Sequence, residues 1–186
     1  MILDRVFTAL CSVAALAISL ALAPVSAHAD DQVYQTVDEF VAAAFDSEPP
    51  PAEALWVDQT LRESLVRDFG WQPGLRIRFW QKAGRTAWIL DEIGKERPIT
   101  AGVVVEKGAI ARMEVLTFRE SRGWEVKYPF FTDQFIRVEL SPQGKLNRHI
   151  DGITGATLSV RAMKRMARVA LRLHDESQQT LLARRQ

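Results

Sequence analysis

Two β-branched-rich runs, Ile99 to Glu106 and Ile110 to Phe118, are separated by little more than Lys107-Gly108, and a connection that short joins only antiparallel neighbours. Further strands are read around this hairpin. From Leu75 to Trp80 the chain alternates, with Leu75, Ile77 and Phe79 on one side and Arg76, Arg78 and Trp80 on the other. Lys82-Ala83-Gly84 then turns it into Thr86 to Leu90, and Phe135 to Leu140 alternates as a fifth run, ended by Ser141-Pro142-Gln143-Gly144. Helical periods flank these runs. Thr36 is placed to cap Val37 to Phe45, with Glu39 completing a capping box; Glu53 to Phe69 keeps a helical period until Gly70 and Pro73; a third period runs from Val160 to about Leu173. The expected class is α+β, an antiparallel sheet of about five strands flanked by N-terminal helices and a C-terminal helix. There is no βαβ alternation, and Gly102-Val103 lacks the spacing of a dinucleotide fingerprint.

The first residues read as an address. Arg5 precedes an apolar run from Val6 to Ala23, followed by Pro24 and the small-x-small pattern Ala27-His28-Ala29, which places signal cleavage between Ala29 and Asp30. An uncleaved membrane anchor is the alternative, because the run of 18 residues reaches the lower edge of a spanning helix. Either way the remainder faces outward, and a periplasmic or otherwise extracytoplasmic location is expected. The organisation read from the sequence is a signal peptide over 1–29, an N-terminal helical segment over 30–73 packed on the domain, and the main α+β domain over 74–186. Cys11, the only cysteine, lies in the apolar run, so the exported chain would hold no disulfide, cysteine metal site or catalytic thiol. With His149 and His174 as its only histidines, a histidine-built metal centre is not expected, and redox chemistry would need an organic cofactor. A net charge of +1 gives no global field for nucleic acid.

Chemistry concentrates at one turn. Asp151-Gly152-Ile153-Thr154-Gly155-Ala156-Thr157 precedes the last helical period. Gly152 and Gly155 allow backbone conformations closed to other residues, and with Ala156 they leave little bulk around Thr157, so another molecule can approach its hydroxyl. The free N–H groups and positive dipole of a helix start favour an anion such as phosphate. The plainer alternative is that Thr154 or Thr157 merely caps the helix. Downstream, Met163, Met166, Ala170 and Leu173 make an apolar stripe, while Arg161, Arg165, Arg168 and Arg172 line another face, read as solvated surface.

The string from Asp151 to Thr157 resembles the D-x-x-[ST]-G-A-T acceptor sequence of the FMN-binding domain family, which includes subunits of sodium-pumping NADH:quinone reductases and Rnf-type complexes. Gly94-Lys95 with Pro98-Ile99-Thr100, the stretch Phe118 to Trp124, and Phe131 to Phe135 are similar to family segments in the same order. The resemblance covers about Ile93 to Leu173. It implies that a flavin transferase moves FMN from FAD onto Thr157 as a phosphoester, with Asp151 in the acidic place that the transferase requires. It also places the flavin ring near Glu120, Ser121, Gly123 and Trp124, where the family reads closer to H-x-E-T-P-G-x-G. Here Ser121 stands for Thr, Arg122 for Pro and Phe118 for His. Trp124 is equally well read as a core or edge-strand aromatic, and Phe135 as a core residue.

The resemblance implies covalent FMN held by Asp151, Gly152, Thr154, Gly155, Ala156 and Thr157 on one side and Glu120, Ser121, Gly123 and Trp124 on the other, with no metal and no catalytic residue. Outside the cytoplasm an ester link keeps the cofactor's effective concentration high whatever its intrinsic affinity. The function expected is an extracytoplasmic electron carrier serving a membrane-bound redox partner rather than an independent enzyme. The alternatives are a small flavin-dependent reductase of a metal chelate or quinone, and a flavin-free assembly module of a membrane redox complex.

Overall fold

The computed structural model describes residues 31–183. The 1–29 segment read as a signal peptide lies outside them. Six strands form one antiparallel sheet: β1 (Gln32–Val33), β2 (Glu53–Trp56), β3 (Arg76–Lys82), β4 (Arg85–Ile93), β5 (Pro98–Glu106) and β6 (Ala109–Phe118), in the order β1-β6-β5-β4-β3-β2. The helices are α1 (Val37–Ala44), α2 (Gln59–Phe69), the single turn α3 (Pro129–Thr132) and α4 (Thr157–Ala183), with short 3-10 turns at Trp124–Lys127 and Asp133–Phe135. The class is α+β, as the sequence indicates.

The central hairpins turn on two residues each. Ala83 and Gly84 have φ of 51° and 80°, and Lys107 and Gly108 have 53° and 78°, the left-handed pair that matches the twist of the strands. Lys82 thus pairs with Arg85, and Glu106 with Ala109. Across the first hairpin Phe79 opposes Trp88, and the two rings stack with centroids 4.6 Å apart.

Both faces of the sheet are covered. On one, Ile77, Phe79, Trp88, Leu90, Ala101, Val103 and Val105 pack with α2 and with the apolar stripe of α4, including Met163, Met166 and Ala170. On the other, Trp80, Ala87, Val104 and Leu116 receive Phe40, Val41 and Ala44 from α1 and Phe45 just after it. The Phe40 ring lies so close over Gly102 that a β-carbon there would stand 2.6–2.7 Å from three of its atoms. This close approach is why β5 carries a glycine in its middle.

Three details differ from the sequence reading. Glu53–Trp56 pairs with β3 as an edge strand, so the second helix begins only at Gln59, behind the cap Asp58 whose Oδ1 accepts from the Leu61 N–H at 2.8 Å. The alternation from Phe135 to Leu140 does not make a strand. Phe135 closes a 3-10 turn, Arg137 has φ of 63°, and Glu139 and Leu140 form isolated bridges only. Phe135 is fully buried, so its place in the core holds without the strand. Finally, α4 starts at Thr157 and runs for 27 residues.

Candidate functional site

The turn from Asp151 to Thr157 is fastened by two bonds where it begins. Lys164 Nζ donates to the carbonyl of Ile150 at 2.5 Å, and the Asp151 N–H donates to Gln134 Oε1 at 2.7 Å. Ile150 itself is buried. Gln134 was legible only as a family-like Gln-Phe pair, and its work is to tie the turn to the 3-10 segment. The Ala156 N–H closes the turn on the carbonyl of Ile153 at 3.0 Å, over Gly155 with φ of 85°. Gly152 has no such constraint; a β-carbon on it would meet open space.

The helix start is distinctive. The first intrahelical bond runs from the Val160 N–H to the carbonyl of Ala156, which makes Ala156 the N-cap and Thr157 the first helical residue. Thr36 caps α1 within a full capping box and Asp58 caps α2. Alanine offers no side-chain acceptor, so no residue side chain among those described accepts from the N–H groups of Thr157, Leu158 or Ser159. Neither threonine caps the helix, and the capping alternative does not describe this turn. Thr154 lies in the exposed turn, and Thr157 presents an exposed hydroxyl beside three uncommitted amides. Asp151 is also exposed, its Oδ1 3.6 Å from His149 Nε2.

The loop 119–123 reaches the same helix end. Gly123 is buried with φ of 84°, packed on the Ser159 side chain and on Ala156 Cβ. Trp124 follows, 40% exposed, at the start of an aromatic ridge: its ring meets Tyr128 edge-on at 5.8 Å, and Tyr128 lies 6.2 Å from Phe130. Lys127 Nζ sits 5.4 Å from the Trp124 ring centre. Trp124 is therefore a surface aromatic, not a core one. Ser121 and Arg122 are exposed.

Glu120 is used differently from its neighbours. It is buried, and its Oε1 accepts from the N–H groups of Lys95, Glu96 and Arg97, the last two at 2.6 and 2.9 Å. Gly94 sits against the same carboxylate. Two stretches far apart in sequence, 94–97 and 118–124, thus meet through one carboxylate that organises the turn between β4 and β5. Ser159 is the supporting residue that the sequence reading did not single out, and the tie that Gln134 makes to Asp151 was not read from it either.

Among the described residues no group of histidine, cysteine or carboxylate side chains could hold a metal, and no helix is long and apolar enough to cross a membrane. No curated protein and no solved structure matches the chain. Residues 94–172, from the turn before β5 into α4, match the model of the FMN-binding domain.

Proposed function

We propose that the protein is an extracytoplasmic electron carrier in which FMN is held through a phosphoester on Thr157. The observation that carries this reading is the start of α4. A hydroxyl is exposed on its first residue, the N-cap is an alanine, and the amides of the first turn have no side-chain acceptor among the described residues. An esterified phosphate there meets free N–H donors and the positive end of a 27-residue helix. The residues therefore fit the phosphate end of the cofactor.

The remaining roles follow from position. Asp151, Gly152, Thr154, Gly155 and Ala156 shape the exposed turn that a flavin transferase would have to engage. Gly123 brings Ser121 and Trp124 to the same helix end, where Trp124 offers an exposed aromatic face to a flavin ring. Glu120 holds the loop rather than the ring. When bound, FMN supplies one- and two-electron exchange, and the chain's part is to hold and orient it. A membrane-bound redox partner would exchange electrons with it on the outer side of the membrane, after export through the 1–29 segment.

Peptide mapping and intact mass of the protein made in a host with a flavin transferase in the exported compartment test this. The expected result is one FMN phosphoester on the peptide that contains Thr157, in a chain that begins at Asp30. Unmodified Thr157 in colourless protein made under those conditions overturns the reading.

A further inference from the structure

The arginine stripe of α4 is more than a wet face. Arg161, Lys164, Arg165 and Arg168 follow one another on one side of the helix and wall a groove of about 390 Å³ whose apolar lining is Phe69, Ile153 and Val160. Thr157 borders it. A second hollow of about 360 Å³ shares Lys164 and Arg168 and adds Lys145, Arg148 and His149.

The charge is dense: Arg161, Lys164, Arg165 and Arg168 fall within eight residues of α4, whose first turn contains no acidic residue. Nor are they neutralised in kind. Lys164 spends its charge on the Ile150 carbonyl, and Arg168 Nε and Nη2 donate to the carbonyls of Gly144 and Asp68, each at 2.7 Å. Of the four, only Arg165 directly meets a carboxylate among the described residues, Glu92 at 2.7 Å. Among the described residues Arg161 and Arg148 have no hydrogen-bonding or ionic partner. Burial, then the neighbouring Arg165 charge, lowers the Arg168 pKa against the opposing pull of the Asp68 carboxylate.

We propose that this groove, together with the hollow that shares its Lys164 and Arg168, binds a small organic anion carrying two or more phosphate or carboxylate groups, at a site beside Thr157 but separate from the cofactor's attachment. The guanidinium forks supply bidentate donors for such groups. The concave shape and apolar lining suit a small organic body rather than a flat protein face, and the volume falls in the range of small-molecule sites. The proposal does not need the flavin reading, although an anion seated here would lie next to the flavin's tether.

Calorimetric titration of the full-length exported protein with pyrophosphate and with citrate tests it. Wild type, with its flavin content read from intact mass, is compared with Thr157→Ala, Arg161→Gln and Arg148→Gln. The expected result is binding of at least one anion to both wild type and Thr157→Ala. Arg161→Gln and Arg148→Gln should each weaken it about tenfold, the usual loss for one charge-assisted hydrogen bond, with melting temperatures unchanged. Absence of binding to either form, or arginine variants that bind like wild type, overturns the proposal. So does binding to Thr157→Ala but not to flavin-loaded wild type, which would make the groove the seat of the flavin itself. Flavin content is a separate readout, so a colourless wild type would defeat the carrier reading while the titration still decides this one.

Discussion

Ser159 Oγ occupies the space that a β-carbon on Gly123 would need. Gly123 also has φ of 84°, a conformation that costs a side-chain-bearing residue free energy. Gly123→Ala thus carries two separable costs, strain in the backbone and a clash with the first turn of α4. The expected destabilisation is about 2 kcal/mol or more, read by chemical denaturation. Adding Ser159→Ala should recover the steric part and leave the backbone part, about 1 kcal/mol. A single variant as stable as wild type would mean that the loop and the helix start are not packed together.

Glu120 gives a sharper contrast between two substitutions. One carboxylate oxygen serves three backbone N–H groups of the 94–97 turn, so Glu120→Ala should strand three part-buried donors and cost about 2–3 kcal/mol. Glu120→Gln keeps a neutral acceptor in the same place and should cost about 1–2 kcal/mol, because charge-assisted bonds are roughly twice as strong as neutral ones. Thermal melts of the two variants check the order. Equal, negligible losses would show that the carboxylate does not hold this turn.

What the sequence could show depended on how long a pattern each element had in which to declare itself. β5 and β6, nine and ten residues joined by a two-residue turn, are plain from β-branched runs and Lys107-Gly108. β2 has four residues, and the helical spacing of Leu55, Gln59 and Leu61 runs straight through it; only its pairing with β3 makes it a strand. The sole local signal was Asp58, a strong cap placed immediately before Gln59. From Phe135 to Leu140 the composition alternates, but Phe135 and Val138 are the buried positions and Arg137 is left-handed, so the spacing inward is three, not two. At the site, the 151–157 turn was legible as a motif. The roles of Gln134, Ser159 and the cationic groove were not, because each depends on a contact between elements distant in sequence.

Gly102 and Phe40 report on the second, smaller core. Gly102→Ala would place a β-carbon 2.6 Å from the Phe40 ring, and overpacking of this kind costs about 1–3 kcal/mol. The ring can move only by shifting α1 away from Trp80, Val104 and Leu116. Combining Gly102→Ala with Phe40→Leu should show a favourable coupling in a double-mutant cycle followed by denaturation. Strict additivity would mean that the two residues do not touch.

Thr157→Ala separates chemistry from stability. The side chain is exposed at the first helical position and caps nothing, and alanine is the best helix former. The variant should fold with a stability within about 0.5 kcal/mol of wild type and should lack covalent flavin. Denatured protein that still carries the chromophore would place the attachment elsewhere.

His174 should make the fold sensitive to mild acid. It is buried, with Nδ1 2.8 Å from Thr86 Oγ1, and that hydroxyl accepts from Trp88 Nε1 at 2.9 Å. Burial, opposed by the nearby Asp175 charge, lowers its pKa below the ordinary value. In the unfolded chain a histidine titrates near its ordinary value of about 6.5. Well above that pH neither state binds the proton, and the contribution of His174 does not change with pH. As the pH falls through about 6.5 the unfolded state takes up a proton that the folded state refuses, so stability is lost until the lowered folded pKa is reached, and then levels off. Denaturation of wild type and His174→Gln across this range should therefore give a steeper loss in wild type, by up to one proton, whatever the offset between the two proteins at neutral pH. Identical slopes would show that protonation of the unfolded histidine does not drive the acid sensitivity.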